Sequence, residues 1–314
     1  MASILDAPQF RDEQAAYDWV EARVWPEGPI CPHCGSVDSI GKLKGKSTRP
    51  GVYKCYACRK PFTVKVGTVF ESSHIPLRIW LQAMYLLTSS KKGFSSNQLH
   101  RTLGVTLKSA WFLSHRIREA MRTVGFTPMG GDGAVIEADE TYFGKADKPQ
   151  VSKQRQKSGR PFTKGGKTGP AGKRAVVALV ERGGSVRSFH VEQVDKASVS
   201  RIVQANVRRE STLHTDESRL YSGADDHFAA HETVKHSAGE YVRGSVHTNT
   251  IEGVFSIFKR GMQGIYQHCD EKHLHRYLAE YDFRYNNRVA LGVDDVSRTE
   301  RLVKGVVGKR LTYR

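Results

Sequence analysis

The sequence predicts an α/β protein of several domains, in which a mixed sheet with flanking helices follows a cysteine-containing ribbon and an all-helical domain. Short strand-like apolar runs alternate with helical spacing over residues 132–290, and residues 76–122 have helical spacing throughout. Residues 25–70 hold four cysteines among many turn-forming residues. A chain of 314 residues, 39% of them hydrophobic, can build two or three packed cores.

The charge balance indicates a polyanionic partner. The chain has 49 Lys and Arg against 32 Asp and Glu, a formal net charge of +17. Nucleic acid and an anionic membrane surface both fit such a surplus. No apolar run approaches the roughly 20 residues of a membrane-spanning helix, and residues 1–10 lack the pattern of a secretory signal. We therefore expect a nucleic-acid partner, no membrane, and a cytoplasmic, nucleoid-associated protein.

Residues 1–24 predict a helical segment, and residues 25–72 predict a zinc ribbon. The ribbon contains two C-x-x-C pairs, formed by Cys31, Cys34, Cys55 and Cys58. Each pair can place two thiolates on one tetrahedral Zn²⁺, and four thiolates complete its coordination, so the pattern predicts one structural zinc. A redox pair and a chance spacing are the alternatives, and His33 is a weaker candidate ligand. The fifth cysteine, Cys269, is expected to pack rather than react.

Residues 73–127 predict three helices. The first begins after Pro76, the second near Ser95, and the third after a turn at Gly104 with Thr106 as its cap. Two short helices joined by a glycine turn are typical of a helix-turn-helix. The third helix is expected to expose basic residues to DNA, with Lys108, Arg116 and Arg118 as the candidates. An ordinary three-helix packing unit with a solvated basic face is the alternative.

Residues 128–290 predict the mixed sheet, and residues 291–314 a C-terminal tail. The predicted elements are strands at 134–139, 174–180 and 186–191, a helix at 198–207 and a strand at 212–215. This predicted order, three antiparallel strands followed by a helix and a further strand, is the order of an RNase H-like core.

An insertion at residues 145–174 is rich in Lys, Arg, Gly, Ser and Pro, with Asp147 as its acidic residue. Such a polar segment cannot bury enough surface to fold alone, so we expect a mobile loop that orders on DNA phosphates, or else a solvated linker. The candidate contacts are Lys164, Lys167 and Lys173. The segment Gly165-Gly166-Lys167-Thr168 lacks the first glycine and the preceding strand of a phosphate-binding loop, so no nucleotide cofactor is expected.

Three carboxylates could form a second metal site. Asp139 and Asp216 each follow a strand-like run, and Glu252 lies in a stretch with helical spacing. Lys259, about two turns after Glu252, shares its helix face. Such carboxylates can converge on a pair of Mg²⁺ ions, which prefer oxygen ligands. A surface helix with a solvated Glu and Lys is the alternative.

Together these segments resemble the zinc-ribbon subgroup of bacterial insertion-sequence DDE transposases. The resemblance covers residues 25 to 290 and rests on the two C-x-x-C pairs and on the segments Ile136-Glu-Ala-Asp139-Glu-Thr-Tyr-Phe-Gly144, His214-Thr-Asp216, His247-Thr-Asn-Thr-Ile-Glu252-Gly and Lys272–Arg288. It implies an RNase H-like catalytic domain with Asp139, Asp216 and Glu252 as metal ligands and Lys259 as the family's basic residue. In parts of that group the third position is Asn or His, which makes Asn249 and His247 alternatives.

The resemblance implies cleavage of double-stranded DNA at element ends, followed by transfer of the freed 3′-hydroxyl into target DNA. Two catalytic Mg²⁺, which Mn²⁺ can replace, and one Zn²⁺ are the expected cofactors. A homodimer or larger assembly is expected on DNA, with Arg260 among the DNA contacts. The rivals are a non-catalytic zinc-ribbon DNA-binding protein and an RNase H-like nuclease or resolvase for branched DNA.

Overall fold

The computed structural model describes residues 3–45, 47–123, 125–147 and 172–312. The chain divides into two compact units. The N-terminal unit comprises Met1–Arg122 and Gly292–Arg314, and the sheet unit comprises Thr123–Leu291. Among the described residues, no helix has the length and apolar character that crossing a membrane requires.

The N-terminal unit begins with α1 (Pro8–Arg11) and α2 (Glu13–Val24), which precede the ribbon, and continues after it with α3 (Leu77–Ser89). The Glu13 carboxylate accepts hydrogen bonds from the backbone N–H groups of Leu77 and Arg78, at 2.7 and 3.1 Å. These amides open α3 and have no partner within the helix, so Glu13 caps α3 and links it to α2.

The ribbon between α2 and α3 is a small antiparallel sheet, in the order β1 (Ile40–Lys42), β2 (Tyr53–Cys55) and β3 (Pro61–Phe62). Trp25 packs its ring edge against both Tyr53 and Phe62, with centroids 5.6 and 5.8 Å apart. The aromatic rings form a small core beside the cysteines.

The predicted helix pair is present as α4 (Ser96–Leu103) and α5 (Leu107–Met121). Ser95 caps α4 in a reciprocal box with Gln98. Gly104 ends that helix at φ +66°, a left-handed conformation that glycine adopts without steric cost. The predicted glycine turn between these two helices is therefore present.

The C-terminal segment is more than a tail. It contains a helix, Asp295–Lys304, that packs on α3. The hydroxyls of Thr88 and Thr299 lie 3.0 Å apart, and Arg298 donates to the carbonyl of Thr88 at 3.0 Å. Residues from 292 onward thus complete the core of the N-terminal unit.

The sheet unit is built on one five-stranded mixed sheet in the order β6-β5-β4-β7-β8. Its strands are β4 (Val135–Phe143), β5 (Arg174–Glu181), β6 (Val186–Val191), β7 (Thr212–Asp216) and β8 (Ala230–Val234). The first three pair antiparallel, and β7 and β8 add in parallel. This is the strand order of an RNase H-like core, as predicted.

Helices cover both faces of this sheet. Helix α6 (Lys196–Asn206) packs on the face that holds Ile136 and Leu213. The other face carries α7 (Asn249–Gly261) and α8 (Leu274–Asn286). A short hairpin precedes α7, formed by β9 (Val242–Arg243) and β10 (Val246–His247).

Two features of the sheet differ from the sequence prediction. Strand β4 continues past Asp139 to Phe143, because β5 stays paired with it as far as Phe143 and Arg174. Strand β8 was not predicted, since its segment Ala-His-Glu-Thr-Val carries polar residues and lacks an apolar pattern. The segment forms a strand because its backbone pairs with β7.

Candidate functional site

The register of β4 and β7 places Asp139 beside Asp216. Glu137 pairs with His214, and each aspartate lies two residues further along its strand. Ala138 packs on the α6 side of the sheet. Because side chains alternate along a strand, both aspartates point to the opposite face, where α7 lies.

The carboxyl group of Asp139 lies in an acidic and largely buried environment. Burial raises its pKa to about 7, and the negative charges of Glu140, Asp216 and Glu252 add to the shift. The backbone N–H of Glu140 donates a hydrogen bond to Asp139 at 2.7 Å, which lowers the pKa of Asp139 but offsets only part of the rise. An oxygen-only donor set with excess negative charge fits a divalent cation, which would favour the ionised form.

Glu252 reaches the same region from the first turn of α7. The hydroxyl of Thr248 donates to its Oε1 at 3.1 Å, and Nε2 of His236 lies 3.8 Å from that oxygen. Its side chain is 47% exposed. Among the described residues, only the four cysteines converge within 4.8 Å as a set of three or more metal-ligating groups. The three carboxylates are therefore close enough for their charges to interact, but their oxygens do not all lie within 4.8 Å of one another, as the ligands of a single ion would.

Glu140 faces away from the aspartate pair, because side chains alternate along the strand. Its Oε2 accepts from the hydroxyl of Tyr221 at 2.9 Å. Tyr221 belongs to the core on the α6 side of the sheet. Burial raises the pKa of Glu140, but its carboxylate faces the core on the α6 side.

Sequence reasoning missed the part played by Glu137 and Arg182. The side chain of Glu137 is fully buried and pairs with Arg182 at 2.7 Å. The same guanidinium lies 2.9 Å from Nδ1 of His247, one of the alternatives for the third ligand. Burial and the charge of Arg182 lower the pKa of His214, which favours the neutral ring. The available signal was a glutamate within an apolar strand-like run. Its partner, Arg182, lies 45 residues further along the chain, so the sequence did not identify the pair.

Asn249, the other alternative for the third position, is the first residue of α7 and is exposed. Lys259 is half-buried near the end of that helix. Arg260 is exposed and bonds to Ser256 within the helix.

The cysteines form a compact cluster in the ribbon. The Sγ atoms of Cys31 and Cys58 lie 3.7 Å apart, as do those of Cys34 and Cys55. All four ligand atoms lie within 4.8 Å of one another. Four thiolates at this spacing fit one tetrahedral zinc ion, so the predicted structural zinc site is confirmed.

The prediction that α5 exposes Arg116 and Arg118 is wrong, because both side chains are buried. Arg116 donates to the carbonyls of Val69, Glu71 and Leu311 at 2.7 to 3.1 Å. The buried face of α5 is wider than its apolar residues alone predict, and the long stem of Arg116 crosses this face to reach backbone acceptors.

Arg118 donates to Ser114 on the same helix at 3.1 Å. Lys108, in the first turn of α5, is exposed, with Trp111 partly exposed one turn later. Lys173 is exposed too, whereas Lys164 and Lys167 lie outside the described residues.

Comparisons with known proteins match this chain to transposases. Residues 130–286 match the ISXO2-like transposase domain, and residues 11–61 match the transposase zinc-ribbon domain. A protein of transposable element ISH50 from Halobacterium salinarum is 32% identical over 257 residues, which cover 80% of this chain and 83% of that protein.

Two solved structures give weaker matches. A chain of a simian T-cell lymphotropic virus intasome matches with a TM-score of 0.29 at 15% identity, covering 59% of this chain and 63% of that one, less than two thirds of its length. The Mos1 strand transfer complex matches with a TM-score of 0.27 at 14% identity, covering 72% and 74%.

Proposed function

The chain belongs to the ISXO2-like transposase family, and on that premise we propose that Asp139, Asp216 and Glu252 hold two Mg²⁺ ions at its catalytic centre. The protein is a DNA transposase, an enzyme that cuts and transfers DNA. We propose that water cuts the strand at an element end and that the freed 3′-hydroxyl then attacks target DNA. The observation that carries the proposal is the register that sets the two aspartates side by side, with the pKa of Asp139 raised to about 7.

The three carboxylates stand on three different elements. Asp139 and Asp216 stand on adjacent strands, whose pairing fixes their separation, and Glu252 approaches from α7. Mg²⁺ ions held by these three carboxylates, or Mn²⁺ in their place, would supply activation of the attacking oxygen and stabilisation of the leaving one. Lys259 contacts a phosphate oxygen and offsets charge that develops during the transfer. Each step exchanges one phosphodiester bond for another P–O bond, so no covalent protein–DNA intermediate is involved.

Basic residues on both units are proposed to hold the DNA phosphates. In the described residues these are Lys108 on α5, Lys173 before β5 and Arg260 on α7, all exposed. Lys164 and Lys167 of the basic insertion join them in the proposal. Two element ends require two active centres, so a homodimer or larger assembly on nucleoid DNA is part of it.

A non-catalytic DNA-binding protein is the first rival. Such a protein needs the cysteines and the basic surface, but it has no use for acidic side chains that raise the pKa of a neighbour. An acidic cluster with a largely buried member is costly unless a cation neutralises it, which supports the enzyme.

Replacing Asp139 by asparagine tests the proposal. Asp139→Asn removes one charge at nearly constant volume, and we expect DNA cleavage and strand transfer to fall at least roughly 100-fold while end binding persists. Asp282→Asn is the matched control, since Asp282 is also buried with its pKa raised to about 7, but it bonds to Ser188 away from the cluster. Cleavage by Asp139→Asn at the wild-type rate would overturn the assignment.

A nuclease or resolvase for branched DNA is the second rival. Offering element-end duplexes and four-way junctions at equal concentration separates the two. We expect cleavage of the duplex ends, and preferential cutting of the junction would favour the rival.

A further inference from the structure

Glu137 occupies an unusual place for an acidic residue. It lies on β4 two residues before Asp139, on the same face, and is fully buried. A buried carboxylate is unfavourable unless charged or hydrogen-bonding partners surround it. Its partners therefore reveal what the residue holds together.

The carboxylate of Glu137 caps helix α7 from the neighbouring sheet. Its Oε2 accepts from the backbone N–H of Ile251 at 3.0 Å, and its Oε1 accepts from the hydroxyl of Thr250 at 2.8 Å. Ile251 is the third residue of α7, so its N–H has no acceptor within the helix. A negative charge at this end is also favoured by the helix dipole.

Because Glu137 caps α7 from the sheet, the residue at the helix's own cap position is not needed for capping. Thr248 occupies the cap position of α7, yet its side chain makes no capping bond. Its hydroxyl donates instead to Oε1 of Glu252 at 3.1 Å. Because Glu137 serves the helix end, Thr248 is free to orient the third carboxylate.

Arg182 extends the same network to the hairpin and to β7. Its Nε donates to Glu137 at 2.7 Å, and its other nitrogens donate to the carbonyls of Ser245 and His247 at 2.6 and 2.9 Å. The same guanidinium lies 3.2 Å from Nδ1 of His214, two residues before Asp216. One ion pair thus contacts the segments that carry all three carboxylates.

We infer that Glu137 and Arg182 are positioning residues that set Glu252 against Asp139 and Asp216. The inference rests on the proposed role of those three carboxylates. Catalytic groups need their geometry fixed by surrounding hydrogen bonds, and removing such support costs roughly 10- to 100-fold in metal affinity or activity. Neither positioning residue touches the reacting atoms.

The test compares two buried glutamates in the zinc-loaded full-length chain. Glu137→Gln keeps the side-chain volume but replaces an acceptor oxygen by a donor group. Glu280→Gln is the matched control, because Glu280 is equally buried and paired with Arg284 on α8. Mn²⁺ affinity is measured by electron paramagnetic resonance without DNA, and cleavage of element-end duplexes is measured separately.

We expect Glu137→Gln to weaken Mn²⁺ binding and to slow cleavage by at least roughly tenfold relative to Glu280→Gln. If the two variants agree within twofold in both measurements, the inference is overturned. If the wild type binds Mn²⁺ without cutting DNA, the proposed function fails, while the Mn²⁺ comparison still decides the positioning role.

Thr250→Val provides a second variant that deletes only one hydroxyl. We expect hydrogen exchange at the Ile251 amide to accelerate and Mn²⁺ affinity to fall severalfold, with the thermal unfolding midpoint close to that of the wild type. Unchanged exchange and affinity in Thr250→Val would also overturn the inference.

Discussion

The cysteine cluster and the carboxylate cluster gather ligands in opposite ways. The four cysteines come from one short ribbon, and their Sγ atoms already lie within 4.8 Å of one another. The carboxylates come from β4, β7 and α7, and their arrangement depends on strand register and on a cap of α7 that is supplied from β4. The first is a closed set suited to a structural ion, and the second is an open set suited to ions that must also contact a substrate.

The comparison shows what fixes the ligand geometry in each case. In the ribbon the sequence spacing fixes it, so loss of one cysteine is expected to damage the fold. In the sheet unit, under the proposed function, partners such as Glu137 and Arg182 fix it, so loss of one carboxylate is expected to impair the chemistry more than the folding.

The largest expected effect is on the ribbon. Cys55→Ser should abolish zinc binding, since Cys55 is buried at the end of β2 and a structural zinc contributes on the order of 10 kcal/mol to folding. Zinc content by elemental analysis and proteolysis of residues 25–72 measure this. The control, Cys269→Ser, should retain its zinc. A Cys55→Ser chain with full zinc content and a protected ribbon would break the comparison.

The next effect is a pH dependence expected of the sheet unit. Folding raises the pKa of Asp139 from 3.8 to about 7, so its protonated form is favoured in the metal-free fold. The stability that this gives is complete below about pH 4 and is lost as the pH rises through 7, at most on the order of 4 kcal/mol. Thermal unfolding of the zinc-loaded chain without Mg²⁺, between pH 5 and 8, should show this loss.

Asp282 is expected to contribute to the same pH window, because its pKa is also raised to about 7. The comparison of the wild type with Asp139→Asn therefore isolates the contribution of Asp139. Added Mg²⁺ should stabilise the wild type at pH 8 and leave the variant nearly unchanged. Parallel pH profiles for the two proteins would contradict the prediction.

The smallest effect separates buried from exposed basic residues. Arg116→Met should destabilise the N-terminal unit by about 2–3 kcal/mol, because three carbonyls lose their donor. Lys108→Ala should leave unfolding unchanged but weaken DNA binding severalfold and reduce its salt dependence. Measurements of unfolding and of DNA affinity at two salt concentrations test both, and equal effects of the two changes on DNA affinity would argue against the distinction.

The sequence predicted what depends on local pattern. The C-x-x-C pairs, the glycine turn at Gly104 and the strand order around Asp139 all follow from spacing or from turn chemistry. The sequence could not show that Arg116 reaches backbone carbonyls from a distant segment, or that Glu137 caps a helix 114 residues later. Both depend on tertiary contacts between residues with no local signature, and β8 escaped prediction for the same reason.

The C-terminal helix has a consequence for synthesis. Residues 292–314 belong to the N-terminal unit, so that unit is interrupted in the chain by the whole sheet unit. During translation, all residues of the sheet unit emerge before the Thr88–Thr299 and Arg298 contacts can form. A nascent chain can therefore complete the sheet unit first, whereas the unit that carries α4 and α5 is completed only after residues 292–304 have been synthesised.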